Sequence, residues 1–276
     1  MLAGVDLDCA DPNPPSPETS MKILLSLTTF AALASPVLAH DVVITKEKHT
    51  DRAKVMGQEQ PAKDVTEVTW IGKDHMRVEE GDKVTIVRLD LKKMYILDTK
   101  AKTSSSLDLP VDMSKYMPKD MAPMMEQMFS KMKVTVTPTT ETKKVKDWET
   151  TKYTMTMTLP MGGSLDQEMW VAKDIGGKRE GWHELYGAMM SASPVRAVMI
   201  EEMKKIDGVP VLVERTQKMM GSEIKSKETV ISAEEKEPAE GFYDLPKDYK
   251  DKPYDPMADI PMGGPGGPGG KGPRGG

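Results

Sequence analysis

The chain has 276 residues, 29% charged and 38% hydrophobic, with a mean hydropathy of −0.47, the balance of one or two water-soluble domains rather than of uniform disorder. Aromatics are scarce at 5%, but 24 Met with Val, Ile and Leu supply enough apolar surface for a core. A formal charge of −5 and the lack of any basic patch argue against a general nucleic-acid binder, which needs clustered Lys and Arg to displace counterions.

From Met21 the chain reads as a secretory signal peptide. Lys22 is the positive region, residues 23–33 the apolar run, and Val37-Leu38-Ala39 the small-residue cut site, so the mature chain is expected to begin at His40. The apolar run is too short to span a bilayer, and no transmembrane segment is expected in the mature protein. Residues 1–20 carry Asp6, Asp8, Asp11, Glu18 and four Pro, a poor lead-in to an exported signal, which makes Met21 the expected initiator. Loss of the four acids and one Lys of residues 1–39 brings the formal charge from −5 to −2. The only Cys, Cys9, goes with them, leaving no disulfide, thiolate metal site, Cys nucleophile or lipid-anchoring Cys. The expected location is the periplasm or the exterior. Residues 255–276 are Gly- and Pro-rich and are expected to form a disordered tail, which leaves residues 40–254 as one domain.

Residues 41–109 consist of short runs with two-residue alternation, at 75–78, 84–89 and 94–97, separated by Glu79-Glu80-Gly81-Asp82 and Asp90-Leu91-Lys92, which predicts antiparallel hairpins. The clearest strand is Tyr153, Met155, Met157 and Leu159, with Thr154, Thr156 and Thr158 on the opposite, wet side. Val134 and Val136, Met169 and Val171 around Trp170, and Val209, Val211 and Val213 repeat the pattern. Two segments break it. Met113, Met117, Met121, Met124, Met125, Met128 and Met132 fall at helical spacing, with Pro118 and Pro123 restricting the regular helix to its second half. Residues 182–206 predict a second helical pair, with Ser193 as cap, Pro194 in the first turn and Gly208 as terminator. The fold class is α+β, mainly antiparallel β: one curved sheet with two helical insertions on a single face.

Enzyme signatures are missing. His183-Glu184 lacks the second His of a helical zinc-protease motif, no Gly-rich loop carries Gly-Lys-Ser/Thr, and no Gly-x-Ser-x-Gly elbow occurs. No catalytic, metal or cofactor residue is therefore assigned. What the residues favour is a non-catalytic module for an apolar or lipid-like ligand, because a sheet with one greasy face under Met-rich helices leaves a concavity whose thioethers repack readily. The expected contacts are Met121, Met125, Met128 and Phe129 from the first insertion, Met189 and Met190 from the second, and Trp70, Trp170, Met155 and Met157 from the sheet wall. Two other readings stand beside it. The thioethers of residues 113–132 are soft ligands suited to Cu(I), with His40 as a further contact; or the protein is a structural, envelope-interacting one whose helices simply seal a filled core.

Trp70-Ile71-Gly72-Lys73-Asp74-His75-Met76-Arg77-Val78-Glu79 and residues 87–98 with Lys102-Thr103 resemble the opening strands of an uncharacterised bacterial exported family, the domain of unknown function numbered 4412. Glu168-Met169-Trp170-Val171-Ala172, Asp207-Gly208-Val209-Pro210-Val211 and Phe242-Tyr243-Asp244-Leu245-Pro246 resemble its later strands and its ending, so the likeness covers most of residues 41–250. That family is similar in pattern to the periplasmic lipoprotein carriers of the LolA and LolB kind. The resemblance implies a LolA-like unclosed antiparallel half-barrel holding acyl chains under helices, and it implies no catalytic residue. The Gly-Tyr-x-Cys of many relatives is absent from residues 145–153, so no role of that thiol carries over.

Overall fold

The computed structural model describes residues 40–256, apart from residues 56, 119–122, 124–126, 128–130, 159–161, 174, 176–181, 192–195 and 220. The expected signal peptide and most of the Gly/Pro tail lie outside the described residues. The chain divides into two units, Met1–Val37 and Leu38–Gly276, and all that follows concerns the second.

That unit is mainly antiparallel β. The described residues form β1 (Asp41–Thr50), β2 (Ala53–Val55), β3 (Gln58–Gln60), β4 (Lys63–Ile71), β5 (His75–Glu80), β6 (Lys83–Arg88), β7 (Lys93–Asp98), β8 (Thr103–Asp108), β9 (Val134–Val145), β10 (Trp148–Thr158), β11 (Ser164–Ala172), β12 (Val209–Met219), β13 (Ser222–Lys236) and β14 (Lys250–Asp251). Two helices, α1 (Trp182–Met190) and α2 (Arg196–Met203), lie between β11 and β12, within the second predicted helical segment. Twelve strands make one sheet in the order β14-β8-β7-β6-β5-β4-β1-β13-β12-β11-β10-β9, and β2 with β3 form a separate hairpin. The sheet is two meanders, β4 to β8 and β9 to β13, joined because β1 pairs antiparallel with both β4 and β13. Its outermost strands are β9 and β14, so it is open.

Alternation explains the first meander. Ile71, Met76, Val87, Met94 and Leu107 stand in cross-strand register on five consecutive strands and are all buried on one face. The next row, Trp70, Arg77, Ile86 and Tyr95, faces the other way. That second face is not wet. Residues 239–249 cross it as a strap, Phe242 packing on Trp70 with ring centroids 4.7 Å apart and Tyr243 burying itself beside Val84, Ile86 and Leu97. Arg77 places its guanidinium 4.5 Å over the Phe242 ring and donates to the Phe242 carbonyl at 2.9 Å, while the Tyr243 hydroxyl donates to buried Asp41. The strap ends as β14, parallel to β8. Phe242-Tyr243-Asp244 thus form a turn that covers a sheet, not a closing strand. Gly72 belongs to the same corner, since a Cβ there would stand 2.0 Å from His75 Nε2 and 2.8 Å from Asp41 Oδ1.

The second meander carries the Met. Tyr153, Met155 and Met157 are buried and Thr156 and Thr158 exposed, so β10 alternates as its sequence requires, while Leu159 lies outside the described residues. Met169, Val171, Val213, Ile206, Met199 and Met203 join them in one cluster. Of α1 only Leu185 is fully buried, against the main core; Ser191 then donates to the Ala188 carbonyl at 2.6 Å and accepts from the Val111 amide at 3.1 Å, tying the helix end to the segment after β8. Residues 113–132 contribute a short 3-10 helix at Met113–Lys115 and helical Pro123 and Gln127, with most of the rest outside the described residues. The second helix stops at Met203, five residues before Gly208, which instead forms the bend that leads into β12. Its φ of +135° and the Ala172 carbonyl, 2.3 Å from any Cβ placed there, demand glycine.

Candidate functional site

Between the second meander and the two helices lies a cavity of about 300 Å³. Its apolar side is Met155 and Met169 from β10 and β11, Trp182 and Met190 from α1, Met199 and Met203 from α2, Ile206, and Val209, Pro210 and Val213 from β12. A smaller space of about 60 Å³ sits between the helices, and Met190, Met199 and Met203 line both. His183 and Tyr186 line both as well, so the two volumes share a wall of three flexible thioethers and two rings.

The other side of the cavity is polar, formed by Lys46, Gln167, His183, Tyr186, Arg215 and Glu228. Here the inward phase of each strand switches from apolar to charged. Val42 and Ile44 are followed in phase by Lys46 and Lys48, Ile71 is preceded by Thr69 and Glu67, and Val213 is followed by Arg215. These charges satisfy one another. Lys46 donates to Glu67 Oε1 at 2.8 Å, Lys48 bridges Glu67 and Glu80 (2.6 Å to the latter), and Arg215 donates to Glu228. Three acids balance three bases, with Glu67 the most deeply buried of them at 10% side-chain exposure. Burial opposes ionisation of Glu67, but Lys46 and Lys48 overcome it and hold its carboxyl at about 2. Burial likewise works against the Lys48 ammonium, and its bonds to Glu67 and Glu80 win, raising its pKa. Tyr186, above this set, is pushed up by burial and stays a neutral phenol.

On the opposite face of the same strands, where His49, Asp166, Glu168, Glu214, Lys225 and Lys227 point, lies a larger, more open depression of about 660 Å³. Met155, Gln167 and Arg215 line both spaces.

Of the residues singled out from sequence, Met155 and Met190 line the cavity. Met157 is buried one step along β10, in the cluster with Val134. Met189 packs half-buried against the main core. Trp170 is buried with Lys143 Nζ 3.8 Å over its ring and does not line the cavity, and Trp70 lies under the strap on Phe242. Met121, Met125, Met128 and Phe129 lie outside the described residues. The structure adds Met169, Met199, Met203 and Ile206, and above all the charged residues. Charges standing in the buried phase of apolar strands were the signal in the sequence that marks them. Among the described residues no group of three or more His, Cys, Asp or Glu is placed to hold a metal ion, and no helix is long and apolar enough to cross a membrane.

No protein-family model matches this chain, and no curated protein matches it. Among solved structures it is similar to that of PNGF-II in space group C2, at 11% identity and a TM-score of 0.33 over 77% of this chain. The chain spans only 31% of that protein, a likeness too distant to bear on fold or activity.

Proposed function

We propose that this protein is an exported, non-catalytic binding or carrier module for an apolar or lipid-like ligand, held between the sheet and α1 and α2. The observation that carries the reading is the cavity of about 300 Å³ walled on one side by apolar side chains, five of them Met. A concave space of this size, partly open to solvent and walled by unbranched, repackable side chains, suits a small apolar ligand. Uptake needs no covalent step. Removal of alkyl surface from water drives it at about 25 cal/mol per Å². The resemblance of the strand and turn residues to the exported family similar to LolA and LolB agrees with this reading, as does the signal peptide expected at residues 21–39, which would deliver the chain to the periplasm. A LolA-like curvature of the sheet, with the Met-rich segment 113–132 as a further cover, is part of the proposal.

The test is native mass spectrometry of protein taken from the periplasm without detergent, followed by solvent extraction. A co-purifying alkyl compound supports the module. In Met199→Glu a charge enters the cavity wall from a half-buried helical position. Retention should be lost with melting temperature nearly unchanged, and unchanged retention would refute the placement. Bound copper with no alkyl compound would favour the thioether metal reading instead.

A further inference from the structure

We infer that the ligand of this cavity is a single-chain anionic amphiphile whose carboxylate or phosphate head is seated on Arg215 and Lys46 while its alkyl chain lies among the Met side chains. The inference rests on the proposed binding function and names the class of ligand.

Three observations converge on it. The first is polarity. A receptacle for a plain hydrocarbon has no use for Lys46, Arg215 and Glu228 in its wall, because desolvating charges opposes folding unless they are needed. The second is the supply of donors. Glu67, behind the wall, is committed: its Oε1 accepts from Lys46 and, at 3.3 Å, from Thr69, and its Oε2 pairs with Lys48; among the described lining residues Glu228 is the one acid beside two bases, and its Oε1 accepts from Arg215. The bases are not exhausted. A guanidinium carries five N–H donors and an ammonium three, and the bonds of Arg215 to Glu228 and of Lys46 to Glu67 use one donor each. With the neutral phenol of Tyr186 beside them, what this wall offers an incoming molecule is mainly donors. Its complement is a compact group of oxygen acceptors, and a carboxylate or phosphate meets a guanidinium in the strongest geometry available. The third is position. Arg215 lines the chamber while keeping a side-chain exposure of 29%, so a head on Arg215 keeps one side in water while the tail lies among the Met side chains.

Volume sets the chain count. An apolar cavity of roughly 150 Å³ accommodates benzene, so about 300 Å³ accommodates roughly a dozen carbon atoms. That is one medium alkyl chain and not the two or three of a membrane lipid.

The experiment titrates the delipidated full chain with dodecanoate, dodecyl phosphate and 1-dodecanol at low ionic strength, read by Trp fluorescence because Trp182 lines the cavity. Dodecanoate is expected to bind at least tenfold more tightly than the alcohol, the separation that charge-assisted bonds to a partly buried site give. If dodecyl phosphate outbinds dodecanoate the head is a phosphate, and if the reverse holds it is a carboxylate. Arg215→Gln should weaken both anions about tenfold and leave dodecanol within twofold. Glu228→Gln frees the guanidinium from its protein partner and should strengthen anion binding severalfold, a gain that a misfolded variant cannot mimic. Equal affinity for acid and alcohol overturns the inference and leaves the binding function standing. Preference for anions that neither variant alters overturns the seat on Arg215. Failure of all three probes to bind overturns the binding function itself.

Discussion

Replacing Glu67 with Gln probes the charged set on which the polar wall is built. Glu67 has a side-chain exposure of 10% and takes both Lys46 and Lys48, so the substitution leaves two ammonium groups with weaker partners in a desolvated place. Its carboxyl titrates at about 2 in the fold against 4.5 unperturbed. At about 1.4 kcal/mol per pH unit that difference corresponds to about 3 kcal/mol, matching the ~3–5 kcal/mol typical of breaking a buried ion pair from one side. A depressed acid stabilises fully above its unfolded value and loses that contribution as pH falls toward its folded one. The wild type should therefore exceed Glu67→Gln by about 3 kcal/mol at pH 7, and the gap should close between pH 4.5 and about 2. Urea unfolding followed by far-UV circular dichroism at a series of pH values measures the gap directly, and the exposed acids cancel because both proteins share them. A gap below about 1 kcal/mol at pH 7, or one that does not change on acidification, would refute the claim that Glu67 organises these charges.

Two further perturbations separate the helical cover from the strap. Leu185→Ala removes the one fully buried anchor of α1 and should cost about 2–5 kcal/mol in urea unfolding while reducing retention of any alkyl ligand; a loss under 1 kcal/mol would mean that α1 is held by something else. Phe242→Ala takes away the ring between Trp70 and Arg77. Since that ring is only half-buried, a loss of about 1–3 kcal/mol is expected, with red-shifted Trp emission and faster proteolysis after residue 236, and with alkyl binding unchanged because the strap lies on the face away from the cavity.

The strands were legible in the sequence because alternation is a local property. Tyr153, Met155 and Met157 against Thr154 and Thr156 state one buried face with no knowledge of the partner, and the turns at Gly81-Asp82 and Asp90-Leu91-Lys92 mark where the chain reverses. The helical character of residues 182–206 was legible for the same reason. What pairs with what was not. That β1 joins two meanders by bonding both β4 and β13 depends on contacts between residues nearly two hundred positions apart, which no local period encodes. Nor could the apolar second face of β5 to β7 be traced to Phe242 and Tyr243, since a turn 165 residues beyond Arg77 and 155 beyond Arg88 supplies the cover. The site divides in the same way. Met at helical and alternating spacing pointed to a greasy interior, and Met155 and Met190 do line it. Arg215, Lys46 and Glu228 sit on three different strands and become one wall only when β12, β13 and β1 are neighbours. A charge in an inward-facing position is unfavourable in isolation; long-range pairing supplies the counter-charge that lets it stay.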